Sequence, residues 1–423
     1  MIKTYENKEK TINAFLVSVD SGEFDCEMSI NELYELCKTA KINVTGSTIQ
    51  KRDNPDTKTF VGEGKLKEIK DFSINNEVNL LIFDGELSAV QLRNIEKETE
   101  LAIIDRTMLI LDIFATRAIT SEGKLQVELA QQKYRLPRLA GMGTALSKLG
   151  GSASGAGVGS RGPGETKLET DRRYIRDKIH SLEEKAKELS QKRELTRRKR
   201  IKSETPTISI TGYTNAGKST LLNYLTDAGV LSENMLFATL DPTARSLELP
   251  SGQSAIIIDT VGFISRLPHH LIKAFKSTLE EATLADITLL VCDASDENCS
   301  VKRDISKNLL IELGCEQEKI LTVYNKCDIA ENMEISSLKD DDVAYISAIS
   351  GFGIEDLISK IDKKLDLGYK KMTLHIPYDK TGLISKIREN GKILKEEYQD
   401  EYILVDGIID RKLLKEFSIY EKV

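Results

Sequence analysis

One segment constrains this chain more than any other: a glycine-containing loop that directly follows a strand-like run. Residues 207–211 (Thr-Ile-Ser-Ile-Thr) have the β-branched character of a buried strand, and residues 212–219 (Gly-Tyr-Thr-Asn-Ala-Gly-Lys-Ser) follow at once. A helix-like run, 219–224, comes next. The pattern GxxxxGK[ST] between a strand and a helix predicts a phosphate-binding loop, because glycines let backbone N–H groups converge at a helix N-terminus. Lys218 is the candidate contact to the outer phosphates and Ser219 the candidate magnesium ligand.

A second motif, Asp259-Thr-Val-Gly262, ends the apolar run 255–258. Asp259 is therefore expected at the C-terminal edge of a buried strand, where α/β sheets bind their ligands. It can hold magnesium through water. Gly262 can offer its backbone N–H to a terminal phosphate, which would make the following segment responsive to hydrolysis.

A third motif, Asn325-Lys-Cys-Asp328, follows the strand-like run 320–324. The carboxylate of Asp328 can accept hydrogen bonds from N1–H and N2–H₂ of guanine, a donor pair that adenine lacks. A site built this way leaves Asp328 desolvated and unpaired with the wrong base, so it discriminates strongly. Asn325 is expected to tie this loop to the phosphate loop and Lys326 to cover the base, while residues 347–348 (Ser-Ala) suit a backbone contact to guanine O6.

The three motifs, in this order and each at the end of a strand, resemble the translation-factor-like P-loop GTPases. The resemblance implies a GTP/GDP switch with Mg²⁺, and it places a switch threonine within 237–241. We choose Thr239 as this magnesium ligand, with Thr243 as a substitute. The nucleotide-binding candidates are Gly212, Tyr213, Thr214, Asn215, Ala216, Gly217, Lys218, Ser219, Phe237, Ala238, Thr239, Leu240, Asp241, Asp259, Thr260, Val261, Gly262, Asn325, Lys326, Cys327, Asp328, Ser347, Ala348 and Ile349.

The catalytic set that this sequence predicts is incomplete. Lys218, Asn215 and Gly262 are its catalytic candidates, but the position after Gly262, where many GTPases carry a water-orienting glutamine, holds Phe263. An apolar side chain cannot orient water, so we expect slow hydrolysis until a partner completes the site. Asn215 matches the asparagine that coordinates K⁺ in several related GTPases; stabilisation of a tight loop is the equally weighted alternative.

The alternation of strand-like and helix-like runs predicts an α/β fold with a doubly wound, mostly parallel sheet. Four domains are expected: an N-terminal α/β domain over residues 1–118, a long antiparallel helical hairpin over 119–203 with a Gly-rich loop at 141–164, the GTPase domain over 204–368, and a small C-terminal α/β domain over 369–423.

The hairpin is predicted from a heptad seam and a glycine tract. Leu168, Ile175, Leu182 and Leu189 recur every seven residues, and the helix from 166 to 200 would be roughly 50 Å long. Pairing of the seam with the helix before the glycine tract gives a hairpin; pairing between molecules is the rival. Residues 165–202 carry 14 Lys and Arg against 8 Asp and Glu, although the whole chain has a net charge of −7. The candidate RNA contacts are Arg197, Arg198, Lys199 and Arg200, for which a solvated helix face is the alternative.

Composition excludes several classes. Apolar residues make up 40% and charged residues 30%, as in soluble globular proteins. The six cysteines form no CxxC pair, so we interpret them as reduced thiols. With no apolar leader and no long apolar run, we expect a cytoplasmic protein without a membrane span. We also expect it to be monomeric.

Segments outside the nucleotide motifs resemble the HflX family over nearly the whole chain. They are residues 61–69, 124–129, 162–173 and 237–243. The resemblance implies a GTPase that binds the large ribosomal subunit and its rRNA, with the hairpin reaching toward the peptidyl-transferase region, and that can split stalled or idle ribosomes under stress. A GTPase of ribosome assembly or RNA modification is the alternative, although no GxxG motif occurs after Tyr369 and the C-terminal cysteine motif typical of RNA-modifying GTPases is missing. A non-hydrolysing binding module also remains open because of Phe263.

Overall fold

The structure is a computed structural model of the full chain. It describes residues 12–139, 167–202, 205–226, 236–237, 243–260, 262–266, 268, 271, 283–330, 342–365, 369–410 and 413–421. The chain divides into two compact units. The first comprises Met1–Glu194, Met235–Asp241 and Ser265–Lys276, and the second Leu195–Asn234, Pro242–Ile264 and Ser277–Val423.

The first unit is built on a parallel four-stranded sheet with the strand order β2-β1-β3-β4. Side-chain caps fix where three of its helices begin: Asp25 accepts from the Met28 N–H, Ser88 and Gln91 form a capping box, and Asp105 accepts from the Met108 N–H. The strands are β1 (Asn13–Asp20), β2 (Asn43–Lys51), β3 (Leu80–Phe83) and β4 (Ala102–Asp105), and the helices α1 (Cys26–Thr39), α2 (Glu63–Asn75), α3 (Ala89–Thr99) and α4 (Arg106–Arg117).

Two further helices follow this sheet domain, α5 (Ser121–Arg135) and the 36-residue α6 (Lys167–Lys202). Ion pairs Lys133–Glu183 at 2.6 Å and Lys178–Glu128 at 2.7 Å join them. Leu182, on the predicted heptad seam, is buried. The connection between the helices, including the Gly-rich loop, lies outside the described residues, so the hairpin turn itself stays a prediction.

The second unit contains a six-stranded sheet with the order β10-β9-β8-β5-β7-β6. Every neighbouring pair is parallel except β6 with β7, which confirms the mostly parallel α/β class. The strands are β5 (Thr207–Gly212), β6 (Thr243–Glu248), β7 (Ser254–Asp259), β8 (Ile287–Asp293), β9 (Ile320–Asn325) and β10 (Val343–Tyr345); the helices are α7 (Lys218–Thr226), α8 (Cys299–Glu312) and α9 (Ile354–Leu365).

The C-terminal segment has a core of its own. Its antiparallel sheet, in the order β11-β13-β12, packs against α10 (Gly382–Asn390), with Leu374, Ile387 and Val405 fully buried between them. The strands are β11 (Tyr369–Pro377), β12 (Gly391–Tyr398) and β13 (Tyr402–Asp410). The four domain boundaries expected from the sequence stay predictions.

Candidate nucleotide-binding site

The phosphate-loop candidate joins the end of β5 to the start of α7, at the C-terminal edge of the parallel sheet. Gly212 has a φ of +141°, and a Cβ there would lie 2.1 Å from the Val291 carbonyl oxygen, so only glycine fits. Gly217 has a φ of +90°, and its Cβ would meet Asn325 Nδ2 at 2.2 Å. Asn215, the K⁺ candidate, is exposed and has a φ of +63°. The loop conformation therefore depends on glycine at both ends.

Lys218 is buried at the start of α7, and its ammonium group is held inside the loop. Nζ donates to the carbonyl oxygens of Tyr213 at 2.7 Å and Gly212 at 3.1 Å. Burial lowers the pKa of Lys218 to about 8, and the Asp259 carboxylate opposes this shift. A phosphate entering the loop would give this ammonium group an anionic partner in place of two carbonyls.

The hydroxyl of Ser219 and the carboxylate of Asp259 meet beside Lys218. Ser219 Oγ donates to Asp259 Oδ2 at 2.9 Å, and Asp259 is the last residue of β7. Two adjacent hard oxygen donors are what Mg²⁺ prefers, so these residues fit that ion. Thr243, the substitute switch threonine, begins β6 and is the register partner of Asp259. Thr239, with Ala238, Leu240 and Asp241, lies outside the described residues.

Gly262 lies tightly against the phosphate loop. A Cβ at this position would be 2.9 Å from both Lys218 Nζ and Thr214 Cγ2. The next residue, Phe263, is fixed by its backbone: its N–H donates to the Gly212 oxygen at 2.9 Å, and its carbonyl accepts from the Thr214 N–H at 2.7 Å. The Phe263 side chain is 1% exposed. It therefore packs into the protein interior and does not point toward solvent.

The base-recognition candidates are joined to the phosphate loop through Asn325. Its Nδ2 donates to the Ala216 carbonyl at 2.9 Å, and its Oδ1 accepts from the Ala348 N–H at 2.9 Å. Lys326 has a φ of +66°, and its Nζ lies 2.5 Å from Asp293 Oδ2. One buried amide thus connects the phosphate loop, the loop of residues 325–328 and the loop of residues 347–349.

Of the remaining candidates, Thr260 is buried and donates its hydroxyl to the Ile210 carbonyl at 2.8 Å, whereas Ile349 is 79% exposed. Phe237 belongs to the first unit, where its ring packs edge-to-face on Phe114 with centroids 4.6 Å apart. Val261 lies outside the described residues. The side chains of residues 197–200 do as well, although the backbone there is part of α6.

The sequence did not predict a buried charge network that holds the segment after Ile264. We call Glu32, Asp84, Arg106 and Arg266 the charge quartet. Arg106 bonds Asp84 Oδ1 at 2.9 Å and also Glu32, and Arg266 Nη1 lies 3.1 Å from Asp84 Oδ2. Three of the four side chains are at most 8% exposed and Arg266 is 33% exposed.

The charge quartet reaches the main chain at Ser265. Arg106 Nη2 donates to the Ser265 carbonyl at 3.2 Å, and Glu32 Oε1 accepts from the Ser265 N–H at 3.3 Å. Opposite charges around Arg106 raise its pKa although burial lowers it. No short motif contains these residues, which are far apart in the chain, so no local pattern could have indicated them.

Models of known protein families match successive parts of this chain. Three family models match: GTP-binding GTPase N-terminal over residues 27–115, GTP-binding GTPase Middle Region over 117–200, and 50S ribosome-binding GTPase over 207–326.

Curated relatives match over nearly full length. GTPase HflX of Caldanaerobacter subterraneus subsp. tengcongensis is 46% identical, over 93% of this chain and 90% of that protein. GTPase HflX of Lacrimispora saccharolytica is 45% identical, over 98% and 97%. GTPase HflX of Escherichia coli is 39% identical, over 95% and 93%. In the described residues, no helix is long and apolar enough to cross a membrane. The chain therefore belongs to the HflX family of GTPases, which bind GTP and hydrolyse it to GDP and phosphate.

Proposed function

We propose that this GTPase binds the large ribosomal subunit in its GTP form and splits stalled or idle ribosomes under stress. The observation that carries the proposal is α6, a 36-residue helix with an excess of basic residues that leads directly into the GTPase domain. Such a helix suits the phosphate backbone of RNA. The family model over residues 207–326 describes a 50S ribosome-binding GTPase, which supports the same partner.

In this proposal, the nucleotide site works as a switch. Lys218 and the backbone N–H groups of residues 212–219 bind the phosphates, and Asp328 selects guanine. Ser219 and Thr239, with Asp259 through water, would hold Mg²⁺, which supplies charge neutralisation on the phosphate oxygens. The Gly262 N–H reads the terminal phosphate. When the terminal phosphate is lost on hydrolysis, this contact is released and the segment after Gly262 changes conformation.

Hydrolysis in the isolated chain is expected to be slow. The buried Phe263 leaves the water-orienting role to another group, and electrostatic stabilisation by Lys218 is what remains in the chain itself. A docked ribosome would supply the missing group, and K⁺ bound at Asn215 would add positive charge near the phosphates. The enzyme would then lose its GTP mainly after it has reached its partner.

The proposal is tested with ribosome profiles on density gradients. Intact ribosomes are incubated with the full chain and GTP, GDP or a non-hydrolysable GTP analogue. We expect free subunits to increase with GTP and its analogue but not with GDP, and the protein to migrate with the large subunit.

A charge-matched pair of variants tests the contribution of α6. Replacing Arg197, Arg198, Lys199 and Arg200 by alanine should weaken association and flatten its salt dependence, because each lost phosphate contact lowers the slope. The control replaces the exposed residues Lys38, Lys41, Lys67 and Lys97, which removes the same charge from the N-terminal domain. Equal salt slopes for the two variants would contradict RNA contact by α6. Unchanged ribosome profiles in all three nucleotides would contradict the splitting role.

A further inference from the structure

Helix α4 contacts both segments whose conformation is expected to follow the bound nucleotide. At its start, Arg106 Nη2 donates to the Ser265 carbonyl at 3.2 Å, three residues after Gly262. About two turns further along α4, Phe114 packs edge-to-face on Phe237, with ring centroids 4.6 Å apart. Phe237 belongs to the segment that contains the candidate switch threonine. Both segments lie in the same compact unit as α4, so one helix is in contact with both.

Each segment carries a bulky residue in a strained backbone conformation where it meets this unit. Phe237 has a φ of +55°, and Arg266, next to Ser265, has a φ of +53°. Residues with large side chains rarely adopt a positive φ, and such strain persists only where the surroundings hold it in place. Arg266 is held by Asp84, 3.1 Å from its Nη1, and by the ring of Phe24, whose centroid is 3.7 Å from its Cζ. A segment released from its contacts would lose this strain, which favours a second conformation.

The residue that caps α4 also holds the end of α5. The carboxylate of Asp105 accepts from the Met108 N–H at 2.9 Å and from the Leu87 N–H at 3.0 Å. It also accepts from the hydroxyl of Tyr134, which lies in the last turn of α5, and both side chains are buried. Arg138 Cζ lies 3.6 Å from the Tyr134 ring centroid, and Arg138 Nε donates to the Leu87 carbonyl at 2.9 Å. A displacement at the start of α4 therefore acts directly on the end of α5.

We propose that α4 relays the nucleotide state to α5, so that the end of α5 is held differently in the GTP and GDP forms. This relay rests on the proposed function, in which Gly262 and Thr239 respond to the terminal phosphate. The adjacent residues Asp105 and Arg106 bond α5 on one side and the segment after Gly262 on the other. Closely packed elements shift between discrete arrangements and do not deform continuously, so a movement at one contact of α4 is passed to the others. Since ion pairs join α5 to α6, RNA contact by α6 would then depend on the bound nucleotide.

The relay is tested by hydrogen–deuterium exchange and mass spectrometry on the full chain bound to GDP or to a non-hydrolysable GTP analogue. Two peptides are compared, one that covers residues 262–266 and one that covers the last turns of α5. We expect exchange in both peptides to depend on the nucleotide. At the end of α5 the rates should differ about fivefold or more, because local opening sets the exchange rate and coupling between sites is typically of this size.

Tyr134→Phe separates the relay from the nucleotide site. It removes the hydroxyl that Asp105 accepts from and keeps the ring, so the nucleotide-dependent difference at the end of α5 should disappear. The difference at residues 262–266 and the affinity for fluorescent GDP should stay. A merely structural role of the hydroxyl would instead raise exchange equally with both nucleotides. Ser73→Ala is the control, because it also removes a buried hydroxyl, one that donates to the Ile69 carbonyl at 2.6 Å within α2, and it should keep both differences.

Two results would overturn the relay while leaving the proposed function standing. One is an end of α5 that exchanges equally with both nucleotides although residues 262–266 respond; the other is a difference that persists in Tyr134→Phe. If residues 262–266 themselves exchange equally with both nucleotides, the proposed switch fails and the relay fails with it. Should circular dichroism show that Tyr134→Phe is unfolded, Phe114→Leu takes its place. That variant removes the ring contact with Phe237, and the same loss of the difference at α5 is expected.

Discussion

At the scale of single residues, the guanine specificity that we propose for the site depends on one carboxylate, that of Asp328. If Asp328 accepts from N1–H and N2–H₂ of guanine, Asp328→Asn places an N–H donor opposite the amine and should reduce GDP affinity about a hundredfold. Xanthine carries a carbonyl in place of that amine, so the variant should bind xanthosine diphosphate better than the natural chain does. Competition against fluorescent GDP measures both effects.

Asp356→Asn is the control for this change. Asp356 lies on α9, where it is 60% exposed and pairs with Lys360. Its replacement should leave the preference for guanine intact. If the natural chain bound GDP and xanthosine diphosphate equally well, the assignment of Asp328 to guanine recognition would be contradicted.

Gly262 gives a second prediction at this scale. In Gly262→Ala the new Cβ meets Lys218 Nζ and Thr214 Cγ2 at 2.9 Å, so the loop must shift. We expect single-turnover GTP hydrolysis to fall about tenfold or more. GDP affinity should change less, because the Gly262 N–H is assigned to the terminal phosphate. Gly64→Ala, in α2, serves as control since its Cβ would enter open space. A hydrolysis rate equal to that of the natural chain would contradict the role given to Gly262.

At the scale of elements, the charge quartet ties α1, the residue after β3 and the start of α4 to the segment that begins at Ser265. Arg106→Met leaves the buried carboxylates of Glu32 and Asp84 without their main cation, and removal of one partner of a buried pair costs about 3–5 kcal/mol. We expect a loss of this size in the free energy of unfolding, measured with denaturant. Trypsin should also cleave faster after Arg266, because Ser265 loses the Arg106 hydrogen bond.

Lys65→Met is the control for Arg106→Met. Lys65 makes a surface pair with Glu68 in the same unit, a contact that contributes at most about 1 kcal/mol. If the two variants lose the same stability and are cleaved at the same rate, the charge quartet does not hold this segment.

The strands of the six-stranded sheet show which elements a local sequence pattern can predict. The runs at β5, β7, β8 and β9 are apolar because both faces of a central parallel strand are covered, and the sequence predicted all four. It did not predict β6, an edge strand in which Leu247 alone is buried. The sequence Thr-Ala-Arg-Ser-Leu-Glu has the pattern of a loop. It forms a strand because it pairs with β7, and not because its own side chains are buried.

At the scale of the whole molecule, the sequence predicted the α/β class, the GTPase activity and the family, since these can be recognised from short motifs and local patterns. The charge quartet could not be predicted, because it depends on where distant elements place their side chains. Glu32 and Arg106, for example, are 74 residues apart in the chain. Contacts of this kind require a structure.

The burial of Phe263 has a consequence for how such a protein can change. Introducing a glutamine there would bury an amide, which costs free energy unless it finds hydrogen-bond partners, so the simplest route to faster turnover is disfavoured. A single substitution at this position is therefore not expected to shorten the lifetime of the GTP-bound form. In the proposed mechanism, the partner that completes the catalytic site sets the lifetime of the GTP-bound form.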